Sequence, residues 1–437
     1  MKLNDVAFLV YAPDRDRRNS CDRLRKQKKV KSFESNGNAG AQVVIDVLKK
    51  NGVEVGFCSV NTAHKHKIVL VSFTSLYDIL AFYKSVALNY DWQAKNRTFL
   101  VVGGGFGMQN PTVIRNFIDY AVFGRAENII SSLIDTLLGG KAFEHESVMC
   151  LPDIYKVKVA QVDKLYGKES FIGCNNRCLF CHYTWARKNI SKSKEYAQGT
   201  KTNGINPELL FKNLIKTKKK YGMLRSALDG FSEELRFRYG KRISNKEIKD
   251  NIEHIGAFSG ISILHLYNIG NFPGEIEEDR QELYSTFYSA TPNNRVVVTL
   301  FTTPLRPALA TPLQYAPVAL LPDYSQTPGK KIVEKETLCV MHSIANESPF
   351  SQLQTVIVSR ATEQSDKIFH AICFSKKLRS LNAAQKVRAL QNSFDLTPYL
   401  REYEPTEEKH PGWFLESYTT TEKLAQKYNQ SREKVMV

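Results

Sequence analysis

Three cysteines lie within an eight-residue stretch of the chain: Cys174, Cys178 and Cys181, spaced Cys-x3-Cys-x2-Cys. Thiolate sulfur is the usual protein ligand of iron–sulfur clusters, so one short loop can bind three corners of a [4Fe–4S] cubane. Three ligands leave one iron open to another molecule. A zinc site is the alternative, but structural zinc needs four ligands, and His182 is poorly placed as the fourth because it directly follows Cys181. We therefore expect a [4Fe–4S] cluster with an open iron.

Residues 173–182, Gly-Cys-Asn-Asn-Arg-Cys-Leu-Phe-Cys-His, resemble the cluster-binding motif of the radical S-adenosylmethionine (SAM) superfamily. The resemblance implies that SAM chelates the open iron through its amino and carboxylate groups. An electron from the reduced cluster then cleaves a carbon–sulfur bond of SAM, and the resulting 5′-deoxyadenosyl radical abstracts hydrogen from the substrate. The family also implies an external electron donor of the flavodoxin or ferredoxin type, and a position for Phe180 beside the cluster or the adenine of SAM.

Residues 226–241 resemble the segment near SAM in radical SAM enzymes that carry a cobalamin-type N-terminal domain. The resemblance implies four residues that orient SAM: Asp229, Ser232, Arg236 and Lys241. An acid can bind the ammonium or ribose of SAM, and a cation can bind its carboxylate. The alternative is an ordinary helix start with Ser232 as N-cap. Because Asp229 follows Cys181 closely, either the expected barrel is shortened or Asp229 belongs to an earlier strand.

Two later turns, 267–275 and 311–315, resemble strand ends of the same group. Such ends face the cofactor in a barrel. The resemblance makes Asn268 a SAM-binding candidate, and Glu275 a further candidate for the site.

The N-terminal region contains a glycine-rich turn over residues 103–111 and a Gly-Arg-Ala-Glu run over 124–127. Both resemble the last third of a cobalamin-binding domain. The resemblance implies five residues that bind cobalamin: Ser72, Thr74, Gly103, Gly104 and Gly105. The usual lower-ligand motif Asp-x-His-x-x-Gly is absent. Cobalamin therefore binds without histidine ligation to cobalt, or the domain has lost the cofactor and binds substrate or a partner.

Strands alternate with helices along most of the chain, which predicts an α/β fold. We expect a doubly wound parallel sheet of the Rossmann type over 1–155, a radical SAM core built as a partial (β/α) barrel over 165–320, and a small α-rich C-terminal accessory domain over 325–437. Apolar patterns predict these strands: 6–11, 53–60, 68–73, 99–102, 120–123, 261–267, 295–301 and 353–358. Helical spacing predicts these helices: 40–50, 207–221, 383–391 and 421–431.

Lysine and arginine outnumber aspartate and glutamate by 61 to 44, a formal net charge of +17. An insertion over 13–39 contains nine of these basic residues, and it is either a basic flap for a nucleotide or nucleic acid or a solvated loop. No apolar run reaches membrane-spanning length, and the N-terminus does not resemble a secretory signal. We therefore expect a cytoplasmic protein without membrane contact.

Three functions stay open at this point. The first is a radical SAM enzyme acting on a small-molecule or nucleotide-type substrate, which it methylates if methylcobalamin supplies the methyl group, and otherwise rearranges or cyclises. The second is a methylthiotransferase-like radical SAM enzyme with a second cluster on Cys21, Cys58 and Cys150, although free buried cysteines explain these residues better. The third is a nucleic-acid-binding protein with a structural metal site.

Overall fold

The computed structural model of the chain covers twelve ranges of residues. The described residues are 4–11, 39–166, 171–174, 176–191, 223–257, 263–290, 297–318, 331–332, 339–344, 349–361, 364–408 and 410–433. Most of the basic insertion over 13–39, Cys21 and the helix predicted over 207–221 lie outside them. Within these ranges, no helix is both long and apolar enough to cross a bilayer.

The N-terminal part is a six-stranded sheet with apolar clusters on both faces. Its elements are β1 (Val6–Val10), α1 (Ala39–Lys50), β2 (Val55–Ser59), β3 (Ile68–Ser72), α2 (Leu76–Val86), β4 (Leu100–Gly104), β5 (Tyr120–Val122), α3 (Ile130–Leu138) and β6 (Val148–Cys150). The strand order is β2-β1-β3-β4-β5-β6, with all neighbours parallel except β5 and β6. All residues of β1 and β3 are buried, as expected for a parallel sheet covered on both faces. The five strands and the helix predicted here are confirmed.

A second sheet of five strands follows along the chain. The elements of this part are β7 (Val157–Lys158), β8 (Phe171–Ile172), α4 (His182–Trp185), β9 (Ile190–Ser191), β10 (Met223–Ala227), α5 (Glu233–Arg238), α6 (Asn245–Ala257), β11 (Ile263–Gly270), α7 (Glu277–Ser289), β12 (Val297–Pro304), β13 (Lys331–Ile332) and β14 (Cys339–Ile344). The sheet order is β10-β11-β12-β14-β13, parallel except for β13 with β14, and it continues past residue 320. The strands predicted over 261–267 and 295–301 are confirmed. The partial barrel stays a prediction, because the described strands of this sheet leave two open edges.

The second sheet is covered by helices on one face, and the carboxyl ends of three of its strands lie along one edge. Its apolar face packs against α6 and α7, with Leu264, Leu266 and Leu300 in one cluster with Ile252 and Phe287. Strands β10, β11 and β12 are parallel, so their carboxyl ends lie along the same edge. Ligands of α/β sheets bind at such an edge.

The C-terminal part from residue 349 onward is mostly helical, whereas β13 and β14, which fall within the predicted 325–437 domain, belong to the second sheet. Its elements are α8 (Pro349–Arg360), α9 (Ser365–Phe374), α10 (Lys376–Ser380), α11 (Ala383–Ser393), α12 (Thr397–Leu400), β15 (Leu415–Glu416) and α13 (Thr421–Glu433). The helices predicted over 383–391 and 421–431 are confirmed, but the strand predicted over 353–358 is wrong. That run lies within α8 and is buried throughout, and a short apolar run does not distinguish a strand from a buried helix. Tyr83 of α2 lies 5.8 Å from Phe369 of α9 between ring centroids, so this part shares a core with the N-terminal sheet.

Candidate functional site

The cysteine loop, residues 173–185, is attached to two segments beside the second sheet. The Leu179 N–H donates to the Tyr239 carbonyl at 2.9 Å, and the Leu313 N–H donates to the Leu179 carbonyl at 3.2 Å. The side chains of these three residues belong to one buried apolar cluster. The structure therefore brings the cysteine motif together with both of the downstream segments from which these partners come.

The loop packs against Gly240 with no space for a side chain at that position. Gly240 has a φ of +85°, and a Cβ built on it would lie 2.6 Å from the Arg177 carbonyl oxygen. The Cys178 thiol donates to the Gly240 carbonyl oxygen over 3.8 Å, and the Trp185 indole N–H donates to the Cys178 carbonyl at 2.9 Å. Only glycine combines this backbone conformation with so close an approach.

The three thiols of the motif lie near enough to influence one another. Cys178 is 6% exposed, whereas Cys174 and Cys181 are half-buried. Burial raises the pKa of Cys178 and of Cys181, and charge on the neighbouring cysteines of the motif raises each of them further. The Lys241 ammonium acts in the opposite direction and lowers the pKa of Cys178. The positive charge of Lys241 therefore favours the thiolate form of Cys178.

The three cysteines have the right donor atoms for an iron–sulfur cluster, but their side chains are not already arranged around a metal site. In the described part of the chain, no three His, Cys, Asp or Glu side chains are close enough together to hold a metal ion. The motif still offers three soft sulfur donors on one anchored loop, which is the ligand type that iron–sulfur clusters require. Binding would have to draw the thiols closer together.

Asp229 and Lys241, both predicted to orient SAM, form an ion pair beside the cysteine loop. The Lys241 Nζ atom lies 2.8 Å from Asp229 Oδ2, and the two side chains are 3% and 15% exposed, respectively. Asp229 has a φ of +56°, so its backbone occupies the sparsely populated left-handed region. A strained backbone at a buried charge pair is a frequent feature of functional sites.

Arg236 and Ser232 are occupied by hydrogen bonds within the protein. Arg236 is fully buried and donates to three carbonyl oxygens, those of Gly230, Phe231 and Ile243. Burial lowers its pKa to about 10. The Ser232 hydroxyl accepts from the Leu235 N–H at 3.2 Å and caps α5. Both side chains therefore shape the turn that presents Asp229, which agrees with the helix-start alternative for Ser232.

Asn268 contributes a buried donor at the same place. The Gly230 N–H donates to Asn268 Oδ1 at 2.7 Å, which joins the end of β11 to the Asp229 turn. The side chain is buried, and no acceptor among the described residues receives its Nδ2 hydrogens. An unsatisfied buried donor costs free energy, about 1–3 kcal/mol, so a bound ligand that accepts from Nδ2 would be stabilised here.

Phe180 and Glu275 meet at the turn after β11. The Phe180 ring lies 5.7 Å from that of Phe272, which stacks on Tyr239 at 4.4 Å between centroids. Glu275 accepts from the Phe272 N–H and pairs with Arg280 at 3.4 Å. Burial raises the pKa of Glu275. Phe180 therefore stays a candidate for contact with SAM, whereas the bonds of Glu275 hold its own turn together.

A cavity of about 840 Å³ opens at the carboxyl edge of the N-terminal sheet. All five predicted cobalamin residues line it: Ser72, Thr74, Gly103, Gly104 and Gly105. Tyr183 and Arg187, which lie just beyond the last cysteine of the motif, also line it, and the Arg187 guanidinium lies 5.0 Å from the Tyr183 ring centroid. The cavity therefore adjoins the cysteine loop.

The glycines of this cavity differ in what they do. A Cβ on Gly103 would lie 2.9 Å from Met108 Cε, and one on Gly105, with φ +110°, would lie 2.5 Å from the Phe73 carbonyl oxygen. A Cβ on Gly104 would make only ordinary contacts, at 3.5 Å. Two of the three glycines are thus explained by close packing within the protein. The Thr74 hydroxyl is likewise occupied, since it donates to Asp78 Oδ2 at 2.5 Å.

Sequence reasoning did not identify several polar and charged residues of this cavity. Arg125, Glu127 and Gln42 line it together with Phe106 and other residues. The Gly-Arg-Ala-Glu run over 124–127 is part of the resemblance to a cobalamin-binding domain, but no role was predicted for Arg125 or Glu127. The cavity has the size and mainly apolar wall of a cofactor site. An open cavity with this lining can receive a large, partly apolar ligand such as cobalamin.

Two cysteines assigned to a possible second cluster lie far apart. Cys58 is on β2 and Cys150 is on β6, the opposite edges of the N-terminal sheet. Adjacent strands are spaced about 4.8 Å apart, so five strand spacings separate these edges. These two residues cannot ligate one cluster in this fold. Cys58 is buried, as predicted for a free cysteine, and burial raises its pKa to about 12, but the same prediction is wrong for Cys150, which is exposed.

No family model and no curated protein matches this chain. Among solved structures, it is similar to the cobalamin-dependent S-adenosylmethionine radical enzyme OxsB with aqua-cobalamin bound, at a TM-score of 0.31 and 12% identity over 99% of this chain and 56% of that one. It is also similar to the apo, selenomethionine-labelled OxsB, at a TM-score of 0.32 and 11% identity over 100% of this chain and 62% of that one. The chain thus spans less than two thirds of OxsB, and similarity at this level supports no conclusion about its activity.

Proposed function

We propose that this chain is a radical SAM enzyme whose Cys174, Cys178 and Cys181 hold a [4Fe–4S] cluster. When bound, such a cluster supplies a site for SAM on its open iron and the electron that cleaves SAM to a 5′-deoxyadenosyl radical. The observation that carries the proposal is the attachment of the cysteine loop at Leu179 to both Tyr239 and Leu313. Distant segments that resemble the family's SAM-contacting motifs thus meet at the loop.

In this proposal, the residues around the loop bind and orient SAM. Asp229 binds its ammonium or ribose, and Lys241 favours thiolates while holding the Asp229 carboxylate in place. Asn268 donates from Nδ2 to an acceptor oxygen of SAM, which satisfies an otherwise unbonded donor. Phe180 covers the cluster or the adenine. Arg236 and Ser232 position the Asp229 turn without touching SAM.

We further propose that the cavity of the N-terminal sheet binds cobalamin close to the cysteine loop. The support is the resemblance of its glycine-rich turn together with the position of all five predicted residues on one cavity wall. The reaction would be a methylation if methylcobalamin supplies the methyl group, or otherwise a rearrangement. The substrate class is a small molecule or nucleotide, and the electron would come from a flavodoxin or ferredoxin.

The test is anaerobic purification and cluster reconstitution of the full chain. We expect about four irons per chain, and deoxyadenosine formation after addition of SAM and dithionite. Cys178→Ser should abolish both, because it removes a cluster ligand. Cys150→Ser is the matched control, since this exposed cysteine lies outside the motif. Bound zinc in place of iron, or no deoxyadenosine from the iron-loaded protein, would refute the proposal.

A further inference from the structure

A buried ion pair forms part of the wall of the N-terminal cavity. Arg125 Nη2 lies 2.6 Å from Glu127 Oε1, and the side chains are 10% and 6% exposed, respectively. Both residues line the cavity, in the loop between β5 and α3. Since the arginine charge is neutralised by its partner, the pair offers the cavity directed polar atoms rather than net charge.

The pair leaves one oxygen for a ligand. Glu127 Oε2 is buried and receives no hydrogen bond from any donor in the described ranges. Gln42 on α1 repeats the pattern on another part of the wall: its Nε2 donates to Asp46 Oδ1 at 2.5 Å, while its buried Oε1 receives no donor from the described residues. Buried acceptors without a donor are rare in folded proteins because each costs free energy.

The rest of the wall restricts what can supply these donors. Apolar residues make up much of the lining, among them Phe8, Leu70, Val102, Val122 and Ile130. A ligand that fits must therefore combine a large apolar body with N–H groups at its margin. A carboxylate at the same positions would meet two acceptor oxygens and would be repelled, so the acceptors discriminate between amide and acid.

We propose that Glu127 Oε2 and Gln42 Oε1 accept hydrogen bonds from carboxamide N–H groups of the cavity ligand. The inference rests on the proposed cobalamin site and deepens it, since a corrinoid is a large ring with carboxamide arms. Arg125 is a positioning residue, because its bond to Oε1 fixes the Glu127 carboxylate in the cavity wall.

The test compares two probes on the full-length protein by absorbance titration. One is hydroxocobalamin, and the other is a corrinoid whose side-chain carboxamides are hydrolysed to carboxylates. Wild-type protein should prefer hydroxocobalamin by at least about tenfold, the value of one hydrogen bond to a charged acceptor. Gln42→Met, and the double variant Arg125→Met with Glu127→Leu, should each reduce that preference. The double variant removes both charges together and so leaves none unpaired.

Glu144→Gln is the control, because Glu144 is an exposed acid of the same domain outside the cavity lining. Equal affinity of the wild-type protein for both probes, binding of neither, or an unchanged preference in both variants would overturn the inference. Deoxyadenosine formation by the same preparations reports the cluster chemistry independently. If the inference alone is wrong, that activity persists in the wild-type protein.

Discussion

Around the cysteine loop, charged side chains are bonded mainly to other parts of the protein, whereas the N-terminal cavity keeps buried oxygens without donors. Lys241 pairs with Asp229, and Arg236 holds three backbone carbonyls. In the cavity, Glu127 and Gln42 each retain a buried oxygen with no donor from the described residues. The first region fixes a loop through its charged side chains and keeps one unbonded donor, Asn268 Nδ2, whereas the second keeps two unbonded acceptor oxygens.

This contrast distinguishes two roles that a motif residue can have: fixing the chain, or facing a ligand. Residues that fix the chain, such as Gly240 and Gly105, should affect stability when changed. Residues that face a ligand should affect binding and leave stability nearly unchanged. The variants below test whether the two regions differ in this way.

Gly240→Ala should have the largest effect. The new Cβ would meet the Arg177 carbonyl oxygen at 2.6 Å in a left-handed backbone, so the cysteine loop must move. We expect a loss of about 4 kcal/mol in unfolding free energy and of most bound iron. Gly52→Ala is the matched control, since its φ of +79° is similar but nothing lies within 4 Å of its Cβ. Urea unfolding and iron analysis measure the difference, and equal effects of the two variants would contradict the proposed rigid attachment.

Lys241→Ala should cost about 3 kcal/mol, because it leaves the Asp229 carboxylate without its buried partner. Lys67→Ala removes an ion pair with Asp5 whose side chains are mostly exposed, and should change stability by less than about 1 kcal/mol. Urea unfolding at neutral pH measures both. If both variants lose the same stability, the Asp229–Lys241 pair has no special structural role.

Acidification should weaken the region behind the cysteine loop. Burial lowers the pKa of His410, whose ring contacts Tyr315, to about 4. The unfolded chain takes up this proton near pH 6.5, so its contribution to stability is present above pH 6.5 and is lost as pH falls towards 4. Between pH 7 and pH 5 the loss should be about 2 kcal/mol. His410→Gln should reduce that loss in urea unfolding, while His64→Gln, at an exposed position, should not.

The sequence was sufficient to predict a strand or a loop where one local pattern of residues determines it. Buried apolar runs predicted β1 and β3, and the spacing of the cysteines located the loop. It was insufficient where partners are distant in the chain. The bonds of Arg236 to backbone carbonyls depend on how a turn folds, and Gln42 and Glu127 share a cavity only because α1 and the loop after β5 flank the same sheet edge. The strand prediction over 353–358 is wrong for another reason, because an apolar run of this length suits either a strand or a buried helix.

Gly104→Ala should have the smallest effect, although the family resemblance gives Gly104 and Gly105 the same role. The Gly104 Cβ would make only ordinary contacts with Val122, so unfolding free energy should change by less than about 1 kcal/mol. Gly105→Ala should cost more, because its Cβ would meet the Phe73 carbonyl oxygen in a left-handed backbone. Thermal unfolding without ligand compares the two. Equal losses would mean that packing within the protein fixes both glycines. The cavity wall at this turn would then be as rigid as the cysteine loop, and the contrast between the two regions would not hold there.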